Sequence, residues 1–580
     1  GNLAGENVIG QFGTTAVGYK AGSTQNAESY NTYIGNEAGR DHIGSQSVFV
    51  GAGTRVYTAG GDSNGMVVVG YNAQDVQGGQ YATSVGYGAG NQNQGANTVS
   101  IGRDTNRVNN AAGTTSVGYQ SGYSQTGGAS NTNLGYKAGY SATTANNNVI
   151  LGYEAHLNGT GSFSVIIGSQ AGQSNTNSGL TAIGYQSGYQ STGGANTFVG
   201  QRAGFLNTSA AGNTGIGREA LNSNQTGGNN VAIGYQALSS NNSGTNTGVG
   251  YRSGWRATGQ HNVFVGTQAA QGTSNSATRN VVIGHQSGIG ITTGGSNIAI
   301  GYIAGYSLTT GEKNILIGAE AARNMIDGSF NTVLGFEAAH SATTGNYNIV
   351  LGYQAAYSAT TNLANVNIGY QAGYGSTGAN DCVNIGAFAN YDINGINKFG
   401  ATAIGKNAMY NGAAGVNNTA IGKQASFGGG GSGGNNTCIG YNSSVSGGTV
   451  ANEITLGNSS ITSLRCAVTS ITSLSDERDK SEIKDISYGL DFIDSLQPRE
   501  FVWDNRIETT SEIDEDGNKI EVEFYSANKG KKDFGFIAQE VQSVDNDTLR
   551  LVYDENPDKL ELSYGKLVPI LVQAIKELKA

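Results

Sequence analysis

A chain of 580 residues with 93 glycines and only 12% charged side chains is long enough for several domains and poor in the charge that coats ordinary surfaces. The charge is divided unevenly: from Ile471 onward there are 14 Lys and Arg against 25 Asp and Glu, whereas the preceding residues hold 17 against 16. A neutral first part without a basic stripe excludes nucleic acid as its partner, and no apolar stretch is long enough to span a bilayer.

From the start of the chain, a β-branched or Leu residue followed by Gly recurs at intervals of 16 to 19 residues, from Val17-Gly18 to Leu456-Gly457, giving 27 junctions. Disorder has no reason to keep that register, so the Gly/Asn/Ser-rich composition reads as a repeat architecture. A typical unit is Asn230-Val231-Ala232-Ile233-Gly234-Tyr235. Its short alternating apolar run predicts a strand, the glycine a sharp bend, and the following Ser/Asn/Gly stretch a turn. The expectation is one strand-turn-strand-turn coil per repeat, rising about 4.8 Å, with apolar side chains buried by stacking on neighbouring coils.

Asparagine stands four residues before the junction glycine in sixteen units, Asn131, Asn196, Asn230, Asn314 and Asn418 among them. A stacked ladder satisfying turn backbone is the expected role. Tyrosine recurs just after the glycine (Tyr119, Tyr185, Tyr235) and again four residues later (Tyr123, Tyr189), rows suited to packing between coils or chains, with sugar stacking as the alternative. The acids Glu37, Glu154, Glu219, Glu320 and Glu337 are isolated, and the last four look like one exposed repeat position. They are not the carboxylate pair a glycosidase needs. Binding is expected from the irregular insertions at 52–64 and 387–400 and from the Trp255 unit. The cysteines, Cys382, Cys438 and Cys466, are too scattered for disulfides or a metal cluster. No metal or cofactor is expected anywhere in the chain, and no signal peptide is recognisable.

The composition changes near residue 470, and all three prolines follow it. The apolar spacing of Ile483, Ile486, Leu490, Ile493 and Leu496 predicts a helix over 482–497, ended by Pro498. Residues 500–503 and 520–524 read as strands, with a solvated turn at Asp514, Glu515 and Asp516 rather than a calcium loop. Residues 534–540 look like a strand entering a helix. Leu567, Ile570, Leu571, Ala574, Ile575 and Leu578 form one stripe of a closing helix, a face for partner helices.

The chemistry, if the chain has any, lies at the boundary. Ser475 needs a base, and all five histidines, from His42 to His340, lie in the repeats. Lysine serves as a base when burial or a neighbouring cation lowers its pKa. Lys480 is five residues from Ser475, with Arg478 between them.

Two resemblances sharpen these readings. The units Thr181-Ala182-Ile183-Gly184 and Val231-Ala232-Ile233-Gly234 resemble the head repeats of trimeric autotransporter adhesins, which implies a β-roll assembled as a trimer; phage fibre shafts use similar sequences. Ser475, Asp476, Arg478, Lys480 and Ile483, then Gly535 to Glu540, then Tyr564 to Ile575, resemble the intramolecular chaperone of endosialidase domain. That resemblance implies a domain that trimerises phage tail fibres and tailspikes and then cuts itself off. The family's nucleophile falls on Ser475 and its base on Lys480, with the cut after Leu474. The expected fold is mainly β. A β-solenoid or β-roll shaft (1–457), a parallel homotrimer, is followed by a connecting strand region (458–474) and a small α+β chaperone and autoprotease domain (475–580) ending in a long helix.

The expected function is a phage fibre or receptor-binding structural protein that cleaves itself before Ser475, located on the virion and outside the cell. Its partners would be two further copies, a host cell-surface receptor or glycan, and other virion proteins reached through an N-terminal anchor beyond this sequence, with neither nucleic acid nor membrane among them. The alternatives are a glycan-degrading tailspike and a bacterial trimeric surface adhesin.

Overall fold

A computed structural model describes residues 3–6, 12–23, 29–56, 63–74, 79–272, 276–392, 399–411, 415–426, 433–447, 449–461, 463–465, 475–504, 508–513, 519–524, 529–545, 548–554 and 560–580. The chain divides into two compact units, Gly1–Phe330 and Asn331–Ala580.

In the first unit each repeat contributes one three-residue strand, from Thr15–Val17 to Ile315–Ile317. Consecutive strands pair in parallel and in repeat register, as where Val231, Ala232 and Ile233 face Thr247, Gly248 and Val249. The middle residue of each strand points inward. Tyr33, Phe49, Ile150, Ile166, Phe198 and Phe264 are fully buried there. Phe198 lies opposite Gly215 and Phe264 opposite Gly248, where the small residue leaves room for the ring, whereas Tyr33 and Phe49 lie opposite one another and stack. The junction glycine is required by close approach: at Gly234, φ is +129° and a Cβ would lie 2.6 Å from the Gly250 carbonyl oxygen.

The second unit repeats this pattern from Thr332–Leu334 to Ile454–Leu456. In both units successive strands of one chain pair with each other, which makes each coil a single-chain β-solenoid. The expected second strand per coil is largely absent. Among the described residues it appears as the short pair Gln92–Asn93 with Val108–Asn109 and as bridges linking Asn346, Leu363 and Asn380. Elsewhere tight turns with left-handed residues such as Gln236 (φ 55°) take its place. A 17-residue period divided by two such bends leaves room for little more than one strand.

The asparagine ladder is buried backbone support. Asn280 N–H donates to Asn262 Oδ1 at 2.9 Å, Asn280 Oδ1 accepts from Asn297 N–H at 2.8 Å, and Asn280 Nδ2 donates to the Gly294 carbonyl at 3.0 Å. Asn331, Asn348 and Asn365 make the same carbonyl contacts in the second unit. In two stretches the core itself turns polar. Ser84, Ser100, Ser116 and Asn133 occupy the inward strand position, as do Asn367 and Asn384, whose amides bond to each other at 2.7 Å.

The second unit also contains the tail. Arg499–Val502 pairs antiparallel with Lys532–Gly535, Glu508–Ile513 with Lys519–Phe524, and Val552–Tyr553 with Glu561–Leu562. The turn at Asp514, Glu515 and Asp516 lies outside the described residues. Three helices follow in chain order: α1 (Leu490–Ser495), α2 (Ala538–Asp545) and α3 (Leu567–Lys579). The helix expected over 482–497 is therefore shortened to α1. Gly489 precedes it, and the β-branched Ile483 and Ile486 with the neighbouring Asp485 and Ser487 favour extended chain; Ile486 still packs against the tail core without a helix. That core is formed by Leu496, Val541, Leu551, Val552, Leu567 and Ile570.

Candidate functional site

Ser475 and Asp476 enter a single 3-10 turn, Glu477–Asp479. The turn exists because Asp476 caps it: its carboxylate accepts the Arg478 backbone N–H at 2.9 Å, the standard use of Asp before a helical turn. The chain then doubles back, and Lys480 N–H donates to the Glu477 carbonyl at 3.1 Å. This brings Lys480 Nζ to 2.5 Å from Ser475 Oγ and 3.1 Å from the Ser475 carbonyl oxygen. The two residues on which the resemblance places nucleophile and base are thus in hydrogen-bond contact, the reach such a pair requires.

Arg478 faces a different partner. Its Nη2 lies 2.6 Å from Asp476 Oδ2 and its Nε 3.0 Å from Asp476 Oδ1. The guanidinium holds the Asp476 carboxyl below the usual carboxylate range, and the carboxylate in turn raises Arg478. Asp476 as the organiser of the turn was not singled out from sequence; the signal available was an Asp two residues before an Arg at a helical start. Ser475, Arg478 and Lys480 are all exposed in the single chain. Leu474, the expected residue before the cut, lies outside the described residues.

The tail around this turn is fastened by polar contacts between elements. Arg499 forms two bonds to Glu540 of α2, at 3.1 and 3.0 Å. The buried Asp545 carboxylate accepts the N–H groups of Leu549 and Leu551 at 2.7 and 2.8 Å. Glu577 of α3 accepts the Leu490 N–H at 2.6 Å, which holds its carboxyl low. Helix α3 turns Leu567, Ile570 and Ala574 inward and leaves Val568, Leu571, Val572, Ile575 and Leu578 exposed.

The repeats gather no comparable chemistry. Among the described residues no group of three or more His, Cys, Asp and Glu side chains is placed to hold a metal ion, and no helix is long and apolar enough to cross a membrane. Glu154, Glu219 and Glu337 accept amide bonds from Gln170, Gln236 and Gln354 of the next turn, while Glu37 and Glu320 pair with Arg40 and Arg323. The tyrosine rows stack on one another: Tyr119, Tyr136 and Tyr153 have centroids 5.2 and 5.1 Å apart and planes within 14°. Trp255 is half-buried between the guanidinium groups of Arg252 and Arg256, at 5.1 and 4.4 Å. Cys382 and Cys438 are buried; Cys466 and the centres of both insertions, 57–62 and 393–398, lie outside the described residues.

Residues 475–550 match the protein family described as chaperone of endosialidase. No curated protein and no solved structure is matched by the chain.

Proposed function

From the premise that this β-solenoid chain carries a chaperone-of-endosialidase domain at residues 475–550, we propose that it is a phage tail-fibre or tailspike subunit whose C-terminal domain assembles three copies and then severs itself before Ser475. The carrying observation is the 2.5 Å contact between Lys480 Nζ and Ser475 Oγ at the first residue of the matched segment. The exposed Val568, Leu571, Val572, Ile575 and Leu578 on α3 support assembly, because an apolar helix face of this kind is what partner helices cover.

In the cut, Lys480 takes the Ser475 hydroxyl proton as Oγ attacks the Leu474 carbonyl carbon. The Leu474–Ser475 peptide bond breaks, the Ser475 nitrogen leaves as a protonated amine, and water hydrolyses the resulting ester to free the Leu474 carboxylate and the serine. The scissile bond is covalently delivered, so no substrate pocket is needed. Lys480 is exposed in the single chain, and a lysine base must be depressed by burial or by a cation. Assembly that buries Lys480 would therefore gate the reaction.

The need for such a domain follows from the repeats. Neighbouring coils are alike, so a one-repeat slip costs little, and three chains must agree on one register. A C-terminal trimer sets that register, and its removal makes unfolding hard to reverse. The mature fibre then belongs to a virion appendage outside the host cell, joined to other virion proteins and directed at a host surface receptor or glycan. The single acids of the repeats support attachment over glycan cleavage.

Mass spectrometry of the purified full chain tests the reading. A fragment comprising residues 475–580 is expected without added protease, and Ser475→Ala and Lys480→Ala should each leave a full-length trimer. Processing of Ser475→Ala at the parent's rate would remove the assigned nucleophile, and a parent that stays intact would make the domain a retained cap.

A further inference from the structure

Where an arginine stands one or five residues after a junction glycine, the second residue after that glycine is an acid and pairs with it. Arg40 meets Glu37, Arg103 and Arg107 meet Asp104, Arg218 meets Glu219, and Arg323 meets Glu320, at 3.0 to 3.9 Å. The turn after Gly250 is built differently. Its second residue is itself a cation, Arg252, and Arg256 follows four residues on. The chain has no acid between Glu219 and Glu312 and no lysine between Lys137 and Lys313. Glu219, the nearest acid before Arg252, is already engaged by Gln236 at 2.7 Å and by Arg218 at 3.6 Å.

Both cations of this turn are held in place. Arg252 Nε donates to Gln236 Oε1 at 2.8 Å, and its guanidinium carbon lies 5.2 Å from the Tyr251 ring centre and 5.1 Å from that of Trp255. The Arg256 guanidinium lies 4.4 Å from the same indole. Cation–π contact offsets part of the repulsion between two like charges on one ring. It also orders the two side chains in advance, so an incoming anion loses less entropy in binding them. Arg252 keeps its Nη groups for a ligand. Planar forks of this kind take a carboxylate or phosphate through paired hydrogen bonds, and with no lysine nearby the stretch offers forks alone.

The shape of the ligand follows from the stacking. Arg218 lies two turns from Arg252, about 10 Å along the shaft. The two are joined through Tyr235, which meets the Arg218 guanidinium at 5.3 Å, and Tyr251, stacked on Tyr235 at 5.6 Å. All of these residues belong to the first unit. Cations in line along the axis fit a linear polyanion better than a single small ion. A nucleic acid strand would need open ring faces for its bases, but Tyr235 and Tyr251 cover each other and two guanidinium groups occupy Trp255. An acidic polysaccharide needs only its oxyanions gripped.

We propose that the turn of Arg252, Trp255 and Arg256, with Arg218 beside it, binds an acidic surface polysaccharide through its carboxylate or phosphate groups. The proposal rests on the attachment reading above and adds the place of binding and the charge of the ligand.

Calorimetry of the full chain with three probes tests it: a galacturonic acid hexasaccharide, inorganic polyphosphate and neutral dextran. One of the two anions should bind, the tighter identifying the oxyanion, and dextran should not. Arg252→Gln and Arg256→Gln should each weaken that binding about tenfold to a hundredfold with thermal unfolding unchanged, and Arg252→Lys should recover only part of it. Arg103→Gln, at a cation already paired with Asp104, should change nothing. Anion or dextran binding that is the same in the parent, Arg252→Gln and Arg256→Gln overturns the proposal and leaves glycan attachment to another part of the chain. Tighter binding of oligothymidylate than of either anion would assign the turn to nucleic acid instead. A chain that binds none of the three probes overturns the proposed site; its retention on a mixed glycan array would then preserve the attachment reading, and its loss from the array would remove the glycan form of that reading as well.

Discussion

Arg478 grips Asp476 through three bonds, Nη2 to Oδ2 at 2.6 Å and Nε to Oδ1 at 3.0 Å and to Oδ2 at 3.2 Å, and the same carboxylate accepts the Arg478 backbone N–H. From sequence, Arg478 is expected to act as a cation on Lys480. The observed pairing gives it a second role, locking the turn that returns Lys480 to Ser475. The two roles separate in mutants. If the lock dominates, Asp476→Ala and Arg478→Ala each slow release of the fragment beginning at Ser475 by about tenfold to a hundredfold, the size of a small misplacement. The double variant is then no slower than either single one. If the charge dominates, Arg478→Lys restores the rate and Asp476→Ala leaves it unchanged.

Asn280 makes four ladder bonds, and truncation removes the three made by its side chain, two of them to the backbone groups Asn297 N–H and the Gly294 carbonyl. Asn280→Ala leaves both buried backbone groups unsatisfied, a cost of roughly 2–4 kcal/mol, whereas Gln225→Ala on the exposed turn costs less than about 0.5 kcal/mol. Because each coil contacts its neighbours, the damage stays local. Hydrogen exchange should rise in peptides covering Gly294 to Asn297 and stay constant several coils away. Uniform protection in the variant would show that the ladder is not what holds these turns.

What was legible in the sequence is what repeats. The Val/Ile/Leu-Gly junction recurs in every repeat and the Asn before it in sixteen of the 27, because each coil solves the same packing problem, so strand positions and the ladder at Asn230 or Asn314 could be read directly. The Ser475–Lys480 pair was legible through the resemblance of its motif to the chaperone of endosialidase domain, since a serine and a lysine five residues apart in a charged loop point to no chemistry by themselves. Features that depend on partners distant in sequence were not. Neither the Arg499–Glu540 clasp nor the Leu490 N–H bond to Glu577 leaves a local pattern. The apolar spacing of Ile483 to Leu496 satisfies a helical stripe, yet only α1 is helical, since Ile486 reaches the tail core from extended chain. The tyrosine rows were visible, but whether rings face outward or each other is decided by the spacing of coils in space.

The pH dependence of the shaft should come from two buried histidines. His42 Nε2 lies 2.7 Å from the Ser63 carbonyl and so donates to it, which leaves Nδ1 to accept the Tyr33 hydroxyl at 2.8 Å. Protonating Nδ1 removes that acceptor and places a charge inside an apolar cluster. Burial lowers His42 to about 4, against a smaller opposing pull from the Ser63 carbonyl, and lowers His156 to about 4 against the Asn175 carbonyl. In the unfolded chain both titrate near 6.5. Between these values the unfolded state binds more protons, so the stability from keeping the rings neutral is fully present above about pH 6.5 and is lost as pH falls toward 4. The loss is on the order of 3 kcal/mol per histidine at its limit. Thermal unfolding of the full chain should therefore move to lower temperature between pH 7.5 and 4.5. The double variant His42→Gln, His156→Gln should show a flatter profile over that window even if it starts from lower stability at pH 7.5. Parallel profiles for parent and variant would mean that neither histidine is desolvated in the folded shaft.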